Sequence, residues 1–399
     1  MSFLKYALPA LAVAGRAAAQ SSCSAATTTI QNAGDASALA SCTTFTGSIA
    51  IATGTTDNIA LDGIQKIQGS LIANNVTGMT QLSAGDLETI TDSFTLSELT
   101  VLSSLTFPVL TNVDMIEWTA LPALQQLSFT NGVQTASQVS IQNTQLNTLD
   151  GINLQVVDQF FIANNNYLEN IEMQLGNITT SLILESNGKN VSAIFPNLDW
   201  AYNMTFRNCS QVSIPSLASL NGSMGFYSNE FSTLNAPNLT TVGGTLSFVS
   251  NTDLSNVTMP SLKSVGGGFQ IANNTEFKIV NGFPKLATVG GALDFYGNFT
   301  NVTLPSLSDV RGAFNLQSSA DITDDCSTFQ SLAGSNNVIK GTFTCAGEQA
   351  KPSGQGSTPS STGSSSSSSS THSSGAIPMY IPTGAAGFMG VVAAVFGIF

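Results

Sequence analysis

The stretch "PNLTTVGGTLSFVSN", residues 237–251, carries its signals in a fixed order. Pro237 fixes φ at a corner where no ladder donor is needed. Gly243 and Gly244 suit a tight bend. Leu246 and Phe248 then alternate with polar neighbours, the period of a strand with one buried face. Asn251 closes the run at a turn, because Asn tolerates left-handed backbone angles and bonds local backbone groups. The unit returns as "PSLASLNG" from Pro215, "PSLKSVGG" from Pro260, "PKLATVGG" from Pro284 and "PSLSDVRG" from Pro305. Taken in order, these prolines lie 22, 23, 24 and 21 residues apart. A period in this range means a solenoid.

The frame extends towards the N-terminus without the glycines. Coil starts at 47, 69, 92, 114, 137, 158, 180, 202, 222, 244, 267, 291 and 312 are 20 to 24 residues apart. Inward pairs such as Phe94/Leu96, Ile116/Trp118, Phe160/Ile162 and Leu182/Leu184 hold in most coils, and the coil at 69 is ambiguous by one residue. Phe206, Phe226, Phe248 and Phe295 fall at inward positions and read as a core stack. Asn recurs at the turn in eight successive coils: Asn143, Asn164, Asn187, Asn208, Asn229, Asn251, Asn273 or Asn274, and Asn298. The tetrapeptide "IANN" at 72, 162 and 271 is expected to mark one corner of three coils. About thirteen coils of ~22 residues, stacked as parallel strands, predict a rod roughly 60 Å long. A single coil cannot bury its own apolar side chains; stacked coils share one core.

Cys23 and Cys42 are 19 residues apart, as are Cys326 and Cys345. Four cysteines allow three connectivities, of which local pairing at each end of the body is the simplest. Cys209 is left over and reads as a buried free thiol. The segments expected are a signal peptide (1–19), an N-terminal cap (20–46), repeats (47–320), a C-terminal cap (321–347), a disordered Ser/Thr stalk (348–374) and a GPI-attachment signal (375–399). The first has Lys5 before an apolar run and small residues at Ala17 and Ala19. The last has small residues followed by an uncharged tail without a basic flank, with Ser374 or Gly375 as the attachment residue. A single-pass helix is the alternative, and sixteen residues from Gly384 are short for a span.

Loss of Lys5 and Arg16 with the signal leaves nine of the eleven basic residues against twenty-four acidic ones, a net of −15. Such a surface disfavours nucleic acid and anionic membrane as partners. Eleven N-x-S/T sequons stand at Asn75, Asn177, Asn190, Asn203, Asn208, Asn221, Asn238, Asn256, Asn273, Asn298 and Asn301. A secretion signal makes them N-glycosylation acceptors. Asn208 and Asn273 also occupy the Asn ladder, so poor occupancy is expected there if ladder side chains bond neighbouring coils. The body has no histidine; the chain's one His, His372, lies in the stalk. No metal, cofactor or small-molecule substrate is expected. A polysaccharide-cleaving β-helix would need clustered carboxylates on adjacent coils. Asp92 and Asp114 lie one coil apart, Asp158 two further on, and "DITDDC" from Asp321 belongs to the cap. A glycan face is conceivable at the outward positions Tyr227, Gln270, Asp294, Tyr296, Asn315 and Gln317, beside the simpler reading of a solvated polar surface.

The secretion signal, terminal Cys pairs, "LDGI" at Leu61 and Leu149, the "PxLxxVGG…F…N" coils, the Ser-rich stalk and the tail together resemble the fungal GPI-anchored cell-wall organisation proteins, the extracellular-mutant and sporulation-specific family. The coils are similar to receptor L-domains, which implies a right-handed, leucine-rich-repeat-like parallel β-helix. The resemblance implies a non-enzymatic surface mannoprotein required for wall integrity, outer-layer assembly and morphogenesis, held at the plasma membrane or in the wall. It supplies no catalytic residue. Wall polysaccharide or mannoproteins are the partners to expect; a glycan-binding receptor-like module is the alternative.

Overall fold

The computed structural model describes residues 23–355. The signal peptide, most of the stalk, both GPI-attachment residues and the tail lie outside the described residues. Those described form an all-β parallel solenoid of about thirteen turns. Each coil adds one long strand, or from Ser219 on two shorter ones, to the 21-stranded sheet, and most coils then make a short strand in a separate sheet before a corner leads back. Inward residues stack in register. One column runs Phe206, Phe226, Phe248, Ile271, Phe295, Leu316 and Cys345. Phe206, Phe226 and Phe248 are parallel-stacked with centroids 5.3 and 5.1 Å apart. Phe269 and Phe295 meet edge-on at 4.9 Å. Burying one such ring contributes about 1.5–3 kcal/mol.

The bend glycines serve a different purpose from the one sequence suggests. Gly243, Gly266 and Gly290 stack so closely that a Cβ on Gly266 would lie 2.2 Å from the Gly243 carbonyl oxygen, and one on Gly290 2.1 Å from that of Gly266. Inter-coil crowding, rather than unusual φ, excludes other residues. In earlier coils the same bend is a register shift inside one long strand, between Ile90 and Ser93 or Ile178 and Ser181.

The asparagine ladder resolves into two adjacent columns. Ten successive coils place one residue in the left-handed region: Asn75, Glu98, Ala120, Asn143, Asn164, Ser186, Asn208, Ser228, Ser250 and Asn273, with φ between 51° and 58°. The residue after each is buried: Val76, Leu99 and Leu121, then Thr144, Asn165, Asn187, Cys209, Asn229, Asn251 and Asn274. In this inner column the amides bond from coil to coil. Asn251 Oδ1 accepts from Asn229 N and Nδ2 (3.0 and 2.9 Å), and Asn251 Nδ2 donates to Phe226 O at 3.0 Å. Asn274 repeats the pattern on Asn251 and Phe248, and Asn187 on Asn165 and Ile162. Each Asn thus caps the corner of the preceding coil. Cys209 interrupts the column between Asn187 and Asn229; it lies just past the Trp200–Arg207 strand, and burial pushes its thiol up to about 12.

The expectation of poor occupancy at Asn208 and Asn273 rests on ladder side chains bonding neighbouring coils; Asn208 Nδ2 does donate to Ser228 O at 3.4 Å in the next coil, whereas Asn273 is an exposed corner residue. Both belong to the outer, left-handed column, with Asn208 half-buried. The first "IANN" copy is also displaced by one residue. Ile72 points outward between inward Leu71 and Ala73, whereas Ile162 and Ile271 are buried.

Both ends are covered. Strand Ser24–Ile30 stacks in parallel on Thr44–Ile51 beside helix Ala33–Ala38, and Cys23 bonds Cys42 across 5.6 Å between Cα atoms. At the other end helix Thr323–Leu332 lays Phe329 on Phe314, and strand Phe343–Ala346 adds a last rung, held by Cys326–Cys345 at 5.5 Å. The acids of "DITDDC" serve this cap. Asp325 accepts from Val302 N at 3.3 Å, and the hydroxyl and N–H of Thr323 hold the Asp321 carboxyl below the usual range.

Replacing Asn251 with Leu leaves buried Asn229 N–H and Phe226 C=O unpaired. At ~1–3 kcal/mol for each of these two orphaned groups, stability falls by about 2–6 kcal/mol. Asn273→Ala, at the exposed corner, costs roughly 1 kcal/mol. Urea unfolding of the two variants reads the difference. Cys209 resists alkylation in the folded chain at mildly alkaline pH and reacts in denaturant, since the thiolate is the nucleophile. Cys209→Asn joins the two halves of the ladder and raises the unfolding midpoint.

Candidate interaction face

Alternation along the post-bend strands sends every second side chain outward, and parallel register aligns these residues into columns. Gln270, Asp294 and Asn315 share one column; Tyr227, Val249, Ala272, Tyr296 and Gln317 share the next. Over the post-bend segments the outward positions carry four charged residues, Glu117, Glu185, Arg207 and Asp294, and the rest are small, hydroxyl, amide or apolar; Lys66, Asp92, Asp114, Asp158 and Asp309 lie before or at the bend of the same sheet. Arg207 approaches Glu185 at 3.7 Å and stands 4.2 Å from the centroid of the Tyr227 ring. Tyr227 in turn lies flat over Gly225, where a Cβ would sit 2.3 Å from the ring. Glycine is required there because the aromatic covers it.

Two of the expected face residues are not solvated. Asp294 and Asn315 are each 1 % exposed. They are covered by the first residues of the presumed stalk, so the expected disorder of the stalk from 348 is corrected for 348–355. Asn315 Nδ2 donates to Asp294 Oδ1 at 2.8 Å and to Ser353 O at 3.0 Å. Gln317 Oε1 accepts from Ser353 N at 3.2 Å, and Asp294 Oδ1 from Gln355 N at 3.3 Å. Gln270 Nε2 reaches Asp294 Oδ2 at 3.4 Å. Burial pushes the Asp294 carboxyl and, together with that carboxylate, the Tyr296 phenol upward. Tyr227, Gln270, Tyr296 and Gln317 remain partly exposed. Composition gave no signal for this cover, because Pro, Ser and Gly dominate the covering peptide.

A groove of about 390 Å³ follows the bend of the middle coils, lined by Thr91, Asp114, Ser137 and Asp158 over a floor of Ile90, Val113, Ala136 and Val157. Its acids bond hydroxyls one coil away, Asp114 with Ser137 and Asp158 with Thr179. Asp92 likewise accepts from Ser70 at 2.8 Å. Each of these carboxylates thus accepts a hydrogen bond from a hydroxyl of a neighbouring coil.

The eleven sequons are not spread evenly around the coil. Asn203 alone lies in a post-bend strand segment, where its Oδ1 accepts from Ser223 N at 2.8 Å. Asn190, Asn256 and Asn301 flank or begin short strands of the separate sheets. Asn75, Asn208 and Asn273 sit at the left-handed corner with Asn298 nearby, Asn177 and Asn221 precede the bend, and Asn238 follows Pro237.

Among the described residues no helix is long and apolar enough to cross a membrane. No solved structure matches the chain. A family model described as Ecm33, GPI-anchored cell wall organization protein, matches residues 1–40. The chain is 44 % identical to a cell surface GPI-anchored protein of Arthroderma benhamiae, over 88 % of this chain and 89 % of the other. It is 41 % identical to protein ecm33 of Aspergillus fumigatus, over 88 % of each. It is 33 % identical to cell wall mannoprotein PST1 of Saccharomyces cerevisiae, over 76 % and 68 %. With this solenoid and these capped ends, the chain belongs to the Ecm33 family of GPI-anchored cell-surface proteins that organise the fungal cell wall.

Proposed function

We propose that the protein acts without catalysis, as a scaffold tethered at Ser374 or Gly375, carrying N-glycans on its corners and short-strand side and meeting wall polysaccharide or mannoprotein with its long sheet. The observation that carries this reading is the placement of the acceptors: ten of the eleven lie off the post-bend sheet face. A glycan is large and strongly hydrated, so a surface free of acceptors is one that a partner can approach. The same face has few charges, which lowers the desolvation cost of contact. The domain plan follows: signal (1–19), caps (20–46 and 321–347) around the repeats (47–320), a Ser/Thr segment and a removed tail.

A glycan-binding module is the second reading, favoured by Tyr227 with Arg207 beside it and by the amides of Gln270 and Gln317. Arrays of β-glucan, chitin and mannan probed with the secreted protein separate a saccharide-binding face from one that meets only the protein surface of a mannoprotein, which gives no saccharide signal. Hydrolysis of any of these polymers by the protein would overturn both.

Ser93→Asn creates the sequon Asn-Phe-Thr and Thr245→Asn creates Asn-Leu-Ser, both at outward long-sheet positions. Cells whose only copy carries either added glycan are expected to show the wall-stress sensitivity of cells lacking the protein, while Asn256→Gln restores resistance. Normal resistance with fully glycosylated Ser93→Asn would remove the sheet face from the function. Glycopeptide mass spectrometry is expected to find Asn203 the least occupied acceptor and Asn273 well occupied.

A further inference from the structure

The peptide Pro352–Gln355 crosses the outer face of the last two coils. Ser353 lies over the Phe314–Ser318 strand and Gln355 over Leu293–Gly297, so the chain turns back towards earlier coils after leaving the cap. The approach is fixed by Glu348 N and Gln349 N, which donate to Ala320 O and Ser318 O at 2.9 Å each. The contacts that follow read peptide backbone. Gln317 Oε1 takes the Ser353 N–H while Asn315 Nδ2 holds the Ser353 carbonyl, gripping one residue on both of its polar groups. Asp294 Oδ1 takes the N–H two residues on. Gly354 lies against Tyr296, where a Cβ would stand 2.9 Å from ring Cε1 and 3.0 Å from Asp294 Oδ2. The one residue without a side chain is the one pressed on the ring. The receiving side is also built: Gln317 Nε2 donates to Asn315 Oδ1 at 2.9 Å, Asn315 to Asp294, and Gln270 to the far carboxylate oxygen. A carboxylate removed from water needs donors on both oxygens, and the peptide supplies one of them.

We propose that Pro352–Gln355 is held by a peptide-reading site on the sheet face, built from Gln317, Asn315, Asp294 and Tyr296, which fixes the chain as far as Gln355 across this face. The ligand is an extended Ser-Gly-Gln backbone, bound in cis.

Hydrogen–deuterium exchange of the full-length secreted glycoprotein tests this. The Ser353 and Gln355 amides are expected to exchange more slowly than unstructured peptide. Gly354→Val, which leaves every solenoid residue in place, is expected to speed both by at least about tenfold without changing protection of the Leu246–Val249 strand, because local opening and global stability are separable. Asp294→Ala acts likewise, and Asp294→Asn, which keeps the acceptor oxygen, retains most of the protection. Wild-type amides at 353 and 355 exchanging at the unstructured rate, or Gly354→Val leaving them protected, would overturn the proposal.

Discussion

Every coil leaves one corner it cannot satisfy alone, and the structure depends on how the next coil answers it. The long-sheet strand ends at a residue with φ near 55°, after which the chain turns inward and buries the next residue. Buried backbone N–H and C=O groups at such a corner must be paired. From Asn165 onward, except where Cys209 interrupts, the following coil supplies the pairing, through an amide that accepts from one corner N–H and donates to one strand carbonyl. Neither coil completes its core or its corner without the other. In the first coils Val76, Leu99 and Leu121 fill the same column. The solution there is apolar packing, and the amide column begins only where Thr144 marks the change.

Much of this was legible in the sequence, because a parallel stack writes its register as a period. Phe226, Phe248 and Phe295 point inward because period-two alternation can place them nowhere else. The one-residue distinction between Asn273 and Asn274 was not legible. Two adjacent asparagines fit the same turn, and a repeat that varies between 20 and 24 residues cannot choose between neighbours. The slip of "IANN" at Ile72 has the same origin. The bend glycines were visible, but their cause was not: the crowding of Gly266 on Gly243 is a distance between residues 23 apart.

The outer face follows from the same register. Stacking at ~4.8 Å per coil turns each outward position into a straight column. Like charges repeated along such a column would repel across every strand pair. Serine, threonine, amides and small apolar residues avoid that cost, which leaves the post-bend face sparsely charged in a chain of strongly acidic composition. All the sequons but Asn177 and Asn203 stand outside the long-sheet strands, at corners or at the short strands.

The cover over Asp294 shows what a regular column adds beyond solubility. A Pro-Ser-Gly peptide has no apolar side chain with which to fold, and composition alone assigns it to disorder. It is ordered here by amides and a carboxylate that the stack has already fixed in position, so little side-chain freedom is lost when the peptide docks. Gln317, Asn315 and Asp294 are one strand position from the buried core, and their geometry is inherited from Leu316, Phe314 and Leu293 beneath them. The core that makes the solenoid rigid therefore also makes its outer columns able to hold an extended peptide. Ser353 and Gln355 are the residues so held.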